Sequence, residues 1–109
     1  MPKINTIPIG AASELTACAW LLSEGYEVFR NVAPAGPIDL IAFKDGLFLF
    51  IDVKTAALTK KKDGTPTGVA PKTMRKNQES IGVTFLYVTR CGKCFFDRDE
   101  AYKFLCKNL

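Results

Sequence analysis

The chain of 109 residues contains no histidine. That absence excludes Ser-His-Asp and Cys-His catalysis, the HExxH zinc proteases and nucleases built on an imidazole base. Hydrolytic chemistry would have to run on carboxylates, lysine and a metal ion. No run of apolar residues is long enough to span a bilayer, and Met1-Pro2-Lys3-Ile4-Asn5 lacks the apolar core of a signal peptide, so a cytoplasmic location is expected. In a reducing compartment the four cysteines are expected to be free thiols, with Cys18 and Cys106 acting as small hydrophobes in helical patterns. Cys91-Gly92-Lys93-Cys94 has the spacing of half a zinc site, but there is neither a second pair nor a histidine to complete it, and a hairpin turn is the simpler reading. The charged fraction is ordinary at 24%. Lys and Arg number 15 against 11 Asp and Glu, a net +4 that permits a nucleic-acid partner without demanding one.

What is present suffices for one domain over residues 1–109, since 48% apolar composition can build a core without disulfides. Ala11, Leu15, Cys18 and Leu22 recur at helical spacing, predicting a helix over Ala11–Glu24 stopped by Gly25, with Glu14 bordering the buried stripe and Trp20 pointing away from it. Such a Trp20 is either a satellite core residue under a loop or an anchor in a dimer interface. Tyr26–Val32 alternates as a strand, and Ala33-Pro34-Ala35-Gly36-Pro37 breaks it. Ile38–Phe43 and Leu47–Lys54 flank Lys44-Asp45-Gly46, and Asp-Gly between β-favouring runs is the strongest short hairpin signal. Residues 55–72 lack periodicity and read as a mobile basic loop. A short helix around Thr73–Ser80, a strand over Val83–Thr89, its hairpin partner Cys94–Phe96 and a helix opening at Arg98 or Asp99 complete the chain, with Ala101, Tyr102, Leu105 and Cys106 on one side of that helix. The order implies an α/β fold, a central mixed sheet of about five strands flanked by helices.

If Asp45 and Gly46 form a two-residue turn, Lys44 pairs with Leu47, and stepping outward sets Asp39 opposite Asp52. Directly opposed side chains have Cβ atoms roughly 4.5–5.5 Å apart, and like charges there are destabilising unless something offsets them. Two carboxylates in apolar strands aimed at one point therefore ask for a cation. The strand period of two sets Phe48, Phe50, Asp52 and Lys54 on one face. An all-oxygen ligand set suits Mg²⁺, with Mn²⁺ as a substitute. Such an ion lowers the pKa of water and neutralises a phosphate, while Lys54 orients the water or stabilises the transition state.

Pro37-Ile38-Asp39, a hairpin and Asp52-Val53-Lys54 resemble the PD-(D/E)XK signature of nucleases. The helix with Glu14, Gly25-Tyr26 leading into a strand, and Gly36-Pro37-Ile38-Asp39-Leu40-Ile41 extend the likeness, over about residues 10–56, to Holliday-junction resolvases and small homing-endonuclease-like families. The resemblance implies a restriction-endonuclease-like fold and a Mg²⁺-dependent DNA endonuclease. Asp39 and Asp52 would be metal ligands, Glu14 and the Val53 carbonyl further ligands, Lys54 the catalytic lysine, and Gln78 a residue near the substrate phosphate. Lys60, Lys61, Lys62, Lys72, Arg75 and Lys76 form a basic segment suited to DNA phosphates, although such a run is also an ordinary solvated face. One site cuts one strand, so a homodimer or higher homo-oligomer is expected. The alternative is a catalytically inactive nucleic-acid-binding module on the same fold.

Overall fold

The computed structural model describes residues 6–33, 36–71 and 73–109. Helix α1 (Thr6–Ser23) leads to strands β1 (Glu27–Arg30), β2 (Leu40–Lys44) and β3 (Leu47–Thr55). A hairpin of β4 (Ala57–Lys60) and β5 (Pro66–Ala70), helix α2 (Lys76–Ser80), strands β6 (Val83–Val88) and β7 (Cys94–Phe95), and helix α3 (Arg98–Lys107) follow. The main sheet has five strands in the order β1-β2-β3-β6-β7. Only β3 and β6 run parallel among its described pairings; the others are antiparallel. The expected mixed α/β sheet is therefore the observed architecture.

The β2–β3 turn follows the Asp-Gly signal. Asp45 and Gly46 have φ values of 51° and 80°, the left-handed pair that a tight hairpin with properly twisted strands requires. The register runs from Lys44↔Leu47 to Leu40↔Ile51, as the turn dictates. Alternate β6 residues then serve two cores. Ile51, Leu86 and Val88 pack beneath Ala17 and Leu21 of α1, whereas Phe85 and Tyr87 on the other face pack with Val69 of β5 and Ala101 of α3.

Helix α1 begins five residues earlier than expected, and its buried face is rotated from the expected stripe. Ser13, Ala17 and Leu21 are buried, while Leu15 and Leu22 are 55% and 59% exposed and Ala11 is exposed. Apolar residues ring this helix, so the helical spacing of Ala11, Leu15, Cys18 and Leu22 did not mark the side that packs, and the small Ser13 and Ala17 let its backbone lie close to the sheet. Trp20, expected to point away, packs against Phe96 with ring centroids 5.6 Å apart and belongs to the core. The helix ends as Gly25 predicts, at φ 90°, with the Tyr26 N–H donating to the Leu21 carbonyl at 3.0 Å.

Residues 55–72 correct a second expectation. They hold a paired hairpin, not a structureless loop. Thr59 and Thr67 hydroxyls meet at 2.9 Å, and Asp63-Gly64 lies in the turn, where the Lys61 N–H donates to the Thr65 carbonyl at 2.9 Å. Helix α3 holds it from outside: Arg98 Nε donates to the Val69 carbonyl at 2.9 Å and the Tyr102 hydroxyl to the Pro66 carbonyl at 3.4 Å. Arg98→Ala is expected to cost about 1–3 kcal/mol, the scale of a hydrogen bond from a charged donor. Denaturant unfolding measures it, and amide exchange should rise first in β5.

Helix α3 opens at Arg98, one of the two expected starts, and is capped by Asp97, whose carboxylate accepts from the Asp99 N–H. The 89–93 segment is the expected turn, with the Thr89 hydroxyl accepting from the Lys93 N–H at 3.0 Å. Its cysteines sit apart in environment, Cys91 exposed and Cys94 buried. Among the described residues no helix is long and apolar enough to cross a membrane.

Candidate active site

Asp39 sits one residue before β2 and is gripped on both sides. Its N–H donates to the Ile51 carbonyl at 2.8 Å, and its carbonyl accepts from the Asn31 N–H at 2.9 Å. Its Oδ2 accepts from the Val53 N–H at 2.8 Å, which turns the carboxyl toward β3. Asp52, in mid-β3 and 5% exposed, faces it. Asp52 Oδ2 accepts from Lys54 Nζ at 3.0 Å and from Gln78 Nε2 at 2.6 Å. Lys54 Nζ also lies 5.4 Å from the centre of the Phe85 ring, a cation–π contact that helps hold the ammonium in place.

Gln78 is the residue that closes the site from above. It is 1% exposed, and besides Asp52 its Nε2 donates to the Pro37 carbonyl at 3.2 Å while its Oε1 accepts from the Arg75 N–H at 3.2 Å. One amide thus ties α2, the loop before β2 and the central strand together. Asp39, Asp52, Lys54 and Gln78 are brought into one cluster from elements far apart in sequence.

The cost of assembling two carboxyls is visible on Asp39, whose pKa is pushed from 3.8 up to about 6. Burial is the main cause; a hydrogen bond with Asp52 and the Asp52 and Glu14 charges add to it, and the Val53 N–H opposes. A carboxyl with a raised pKa in the folded state contributes stability below its unfolded value of 3.8, and that contribution is lost as pH rises through about 6. In EDTA, the Asp39→Asn variant should therefore lose part of the stability decline between pH 4 and pH 7. Thermal melts across that range measure it; identical profiles for both proteins would contradict the assignment.

Glu14 approaches from α1 without joining the pair. Its Oε1 accepts from Arg30 Nε and Nη2 at 3.3 and 3.2 Å. Arg30 carries no motif signal, and its role is legible only once α1 is laid against β1. Among the described residues no three His, Cys, Asp or Glu side chains form a metal-sized group. The two facing carboxyls still fit a hard divalent ion, because Mg²⁺ commonly takes one or two protein carboxylates and fills its shell with water and substrate phosphate. Val53 meets the site through its N–H.

Arg75 and Lys76 open α2 beside Gln78, and both are exposed. Lys60, Lys61 and Lys62 are exposed at the end of β4 and in the following turn, while Lys72 lies outside the described residues. Two cavities flank this region. One of about 290 Å³ is lined by Asp39 together with Phe29, Arg30 and Ile41; a larger one of about 380 Å³ lies on the α1 side and contains none of the carboxylates.

Known proteins are similar to this chain at two levels, in sequence and in fold. The profile of the Uncharacterised protein family UPF0102 matches residues 13–100. A UPF0102 protein of Symbiobacterium thermophilum is 35% identical over 95 residues, covering 82% of this chain and 77% of that protein. One from Rhodopseudomonas palustris is 34% identical over 76 residues, covering 68% of this chain and 56% of that protein, so the chain spans little more than half of that relative. The solved structure of a bacterial homing endonuclease, I-Ssp6803I, superposes with a TM-score of 0.59 at 15% identity, covering 84% of this chain and 69% of that one. A sequence profile over most of its length and relatives above 30% identity, beside a structural likeness in fold, lead to one statement: the chain belongs to the UPF0102 family and shares its fold with that homing endonuclease.

Proposed function

We propose that this chain is a metal-dependent DNA endonuclease that hydrolyses phosphodiester bonds. The observation that supports it most is the pairing of half-buried Asp39 with buried Asp52 in one cluster with Lys54. Asp39 and Asp52 would hold Mg²⁺ or Mn²⁺. When bound, such an ion supplies charge neutralisation for the phosphate and lowers the pKa of water.

The chain's own groups do the rest. Lys54, 31% exposed, has its ammonium anchored by Asp52 on one side and free to meet solvent on the other, so it can donate to a phosphate oxygen as negative charge builds there. Gln78 fixes the Asp52 rotamer and keeps bulk water off its Oδ2. Arg75, Lys76 and the Lys60–Lys62 tip supply positive charge for phosphates beyond the scissile one. Because one site cuts one strand, a homo-oligomer is the working form for duplex cleavage, and light scattering at micromolar concentration checks it.

The decisive experiment offers linear, nicked, single-stranded and four-way-junction DNA with Mg²⁺, Mn²⁺ or EDTA. Cleavage that EDTA abolishes is the expected result. Tight binding with no cleavage under any metal would replace the endonuclease with a non-catalytic binding module.

A further inference from the structure

The larger cavity, about 380 Å³, is bounded by α1 on one side and by the ends of β3 and β6 on the other. Those two strands are the parallel pair of the sheet, and in open α/β sheets ligands gather beyond the carboxyl ends of parallel strands. Its polar lining is of one kind. Ser13, Thr16, Thr55 and Thr89 contribute hydroxyls, and Arg90 is the charged residue among the described residues that line it.

The hydroxyl chemistry sets what this space can hold. Ser13 Oγ and Thr55 Oγ1 lie 2.6 Å apart, so one hydroxyl donates to the other and the acceptor keeps its own hydrogen to give elsewhere. Thr89 Oγ1 accepts from the Lys93 N–H and also meets Cys91 Sγ at 3.3 Å, so the hydrogens open to a ligand are those of the Ser13–Thr55 pair and Thr16, beside the Arg90 guanidinium. Several donors and a guanidinium, with no carboxylate in the lining, select an anion with several acceptor oxygens. A phosphate group satisfies them; a neutral sugar would leave Arg90 unmatched.

Position identifies which phosphate. Thr55 directly follows Lys54, and the strand period turns their side chains to opposite faces of the sheet. A nucleic-acid strand laid across this end of β3 passes from the Asp52–Lys54 cluster on one face to the hydroxyl cavity on the other. We infer that the cavity between α1 and the ends of β3 and β6 is a second phosphate subsite, which receives a backbone phosphate neighbouring the scissile one. This assignment rests on the nucleic-acid reading of the carboxylate site, and it can be tested without cleavage.

Inorganic phosphate, titrated in EDTA and followed by amide NMR, should produce saturable shifts at Thr55, Thr89, Arg90 and Gly92. Arg90→Ala should remove them and Arg90→Lys retain them. Arg90 is exposed, so neither change should threaten the fold, and Thr16→Val, which keeps side-chain shape, gives an independent weakening. Duplex DNA affinity, measured in EDTA over a salt series, should fall about tenfold in Arg90→Ala, the scale of one charge-assisted contact. The slope of log affinity against log salt should flatten by about 0.9, one phosphate contact. Absence of saturable phosphate shifts overturns the subsite. Phosphate shifts with an unchanged DNA salt slope overturn the strand assignment and leave a site for free phosphate or a mononucleotide. A protein that passes both arms yet never cleaves DNA with Mg²⁺ keeps the subsite and loses the endonuclease.

Discussion

Asp52→Asn is expected to lower the single-turnover cleavage rate by at least ~10³-fold, because it removes a carboxylate from the pair that would hold the ion and neutralise the phosphate. The amide is close in shape, so Gln78 and Lys54 lose an anionic acceptor without a cavity opening around them. Two stability effects oppose each other. The Lys54 ammonium is left without its partner, while the charge opposite Asp39 disappears. Activity should therefore collapse while the midpoint of denaturant unfolding moves little. The Asp39 carboxyl, relieved of the Asp52 charge, should titrate lower than about 6 yet remain above its ordinary range, since burial is the first cause of its shift. Wild-type cleavage by Asp52→Asn would remove the carboxylate pair from the chemistry.

Lys54→Ala is expected to slow hydrolysis by about 10²–10³-fold, the scale of losing one transition-state contact. An ammonium is not a ligand for Mg²⁺, so metal affinity should change far less than rate. The variant also leaves Asp52 with Gln78 as its remaining described side-chain donor. Single-turnover rates from pH 6 to 9, with isothermal titration of Mn²⁺, separate the two effects. An unchanged rate would return Lys54 to the role of a counter-ion for Asp52.

The parts of this site that could be read from sequence are those fixed by local geometry. Asp45-Gly46 specifies a turn, the turn specifies the register, and the register carries Asp39 to Asp52 and Lys54 to their shared face. Gln78 became legible through the family resemblance alone, because its contact with Asp52 crosses the whole segment between β3 and β6. The same distance hid the β4–β5 hairpin. Ala57–Lys60 and Pro66–Ala70 are short strands with little β-favouring content, and they are held by Arg98 and Tyr102 from the far end of the chain. Asp63-Gly64 was the available signal, the same dipeptide that marks the β2–β3 turn, but its flanks lacked apolar alternation. Helix α1 misled in another way: with apolar residues on every side, only packing against the sheet decides that Ala17 goes in and Leu15 stays out.

The parallel pairing of β3 with β6 also bears on how the site comes into being during folding. The β2–β3 hairpin closes through two residues, the least demanding loop in the sheet, so it can form while most of the chain is still disordered. Forming it brings Asp39 and Asp52 together at once. Gln78 and the ring of Phe85 arrive only after the crossover from Thr55 to Val83 has been closed. For that interval the nascent hairpin holds opposed carboxylates with Lys54 as its one local counter-charge among the described site residues, an electrostatic strain that a proton on Asp39 relieves. The carboxylate pair that suits a divalent ion in the native state is therefore met first as a repulsion inside the hairpin, before Gln78 is in place to share it.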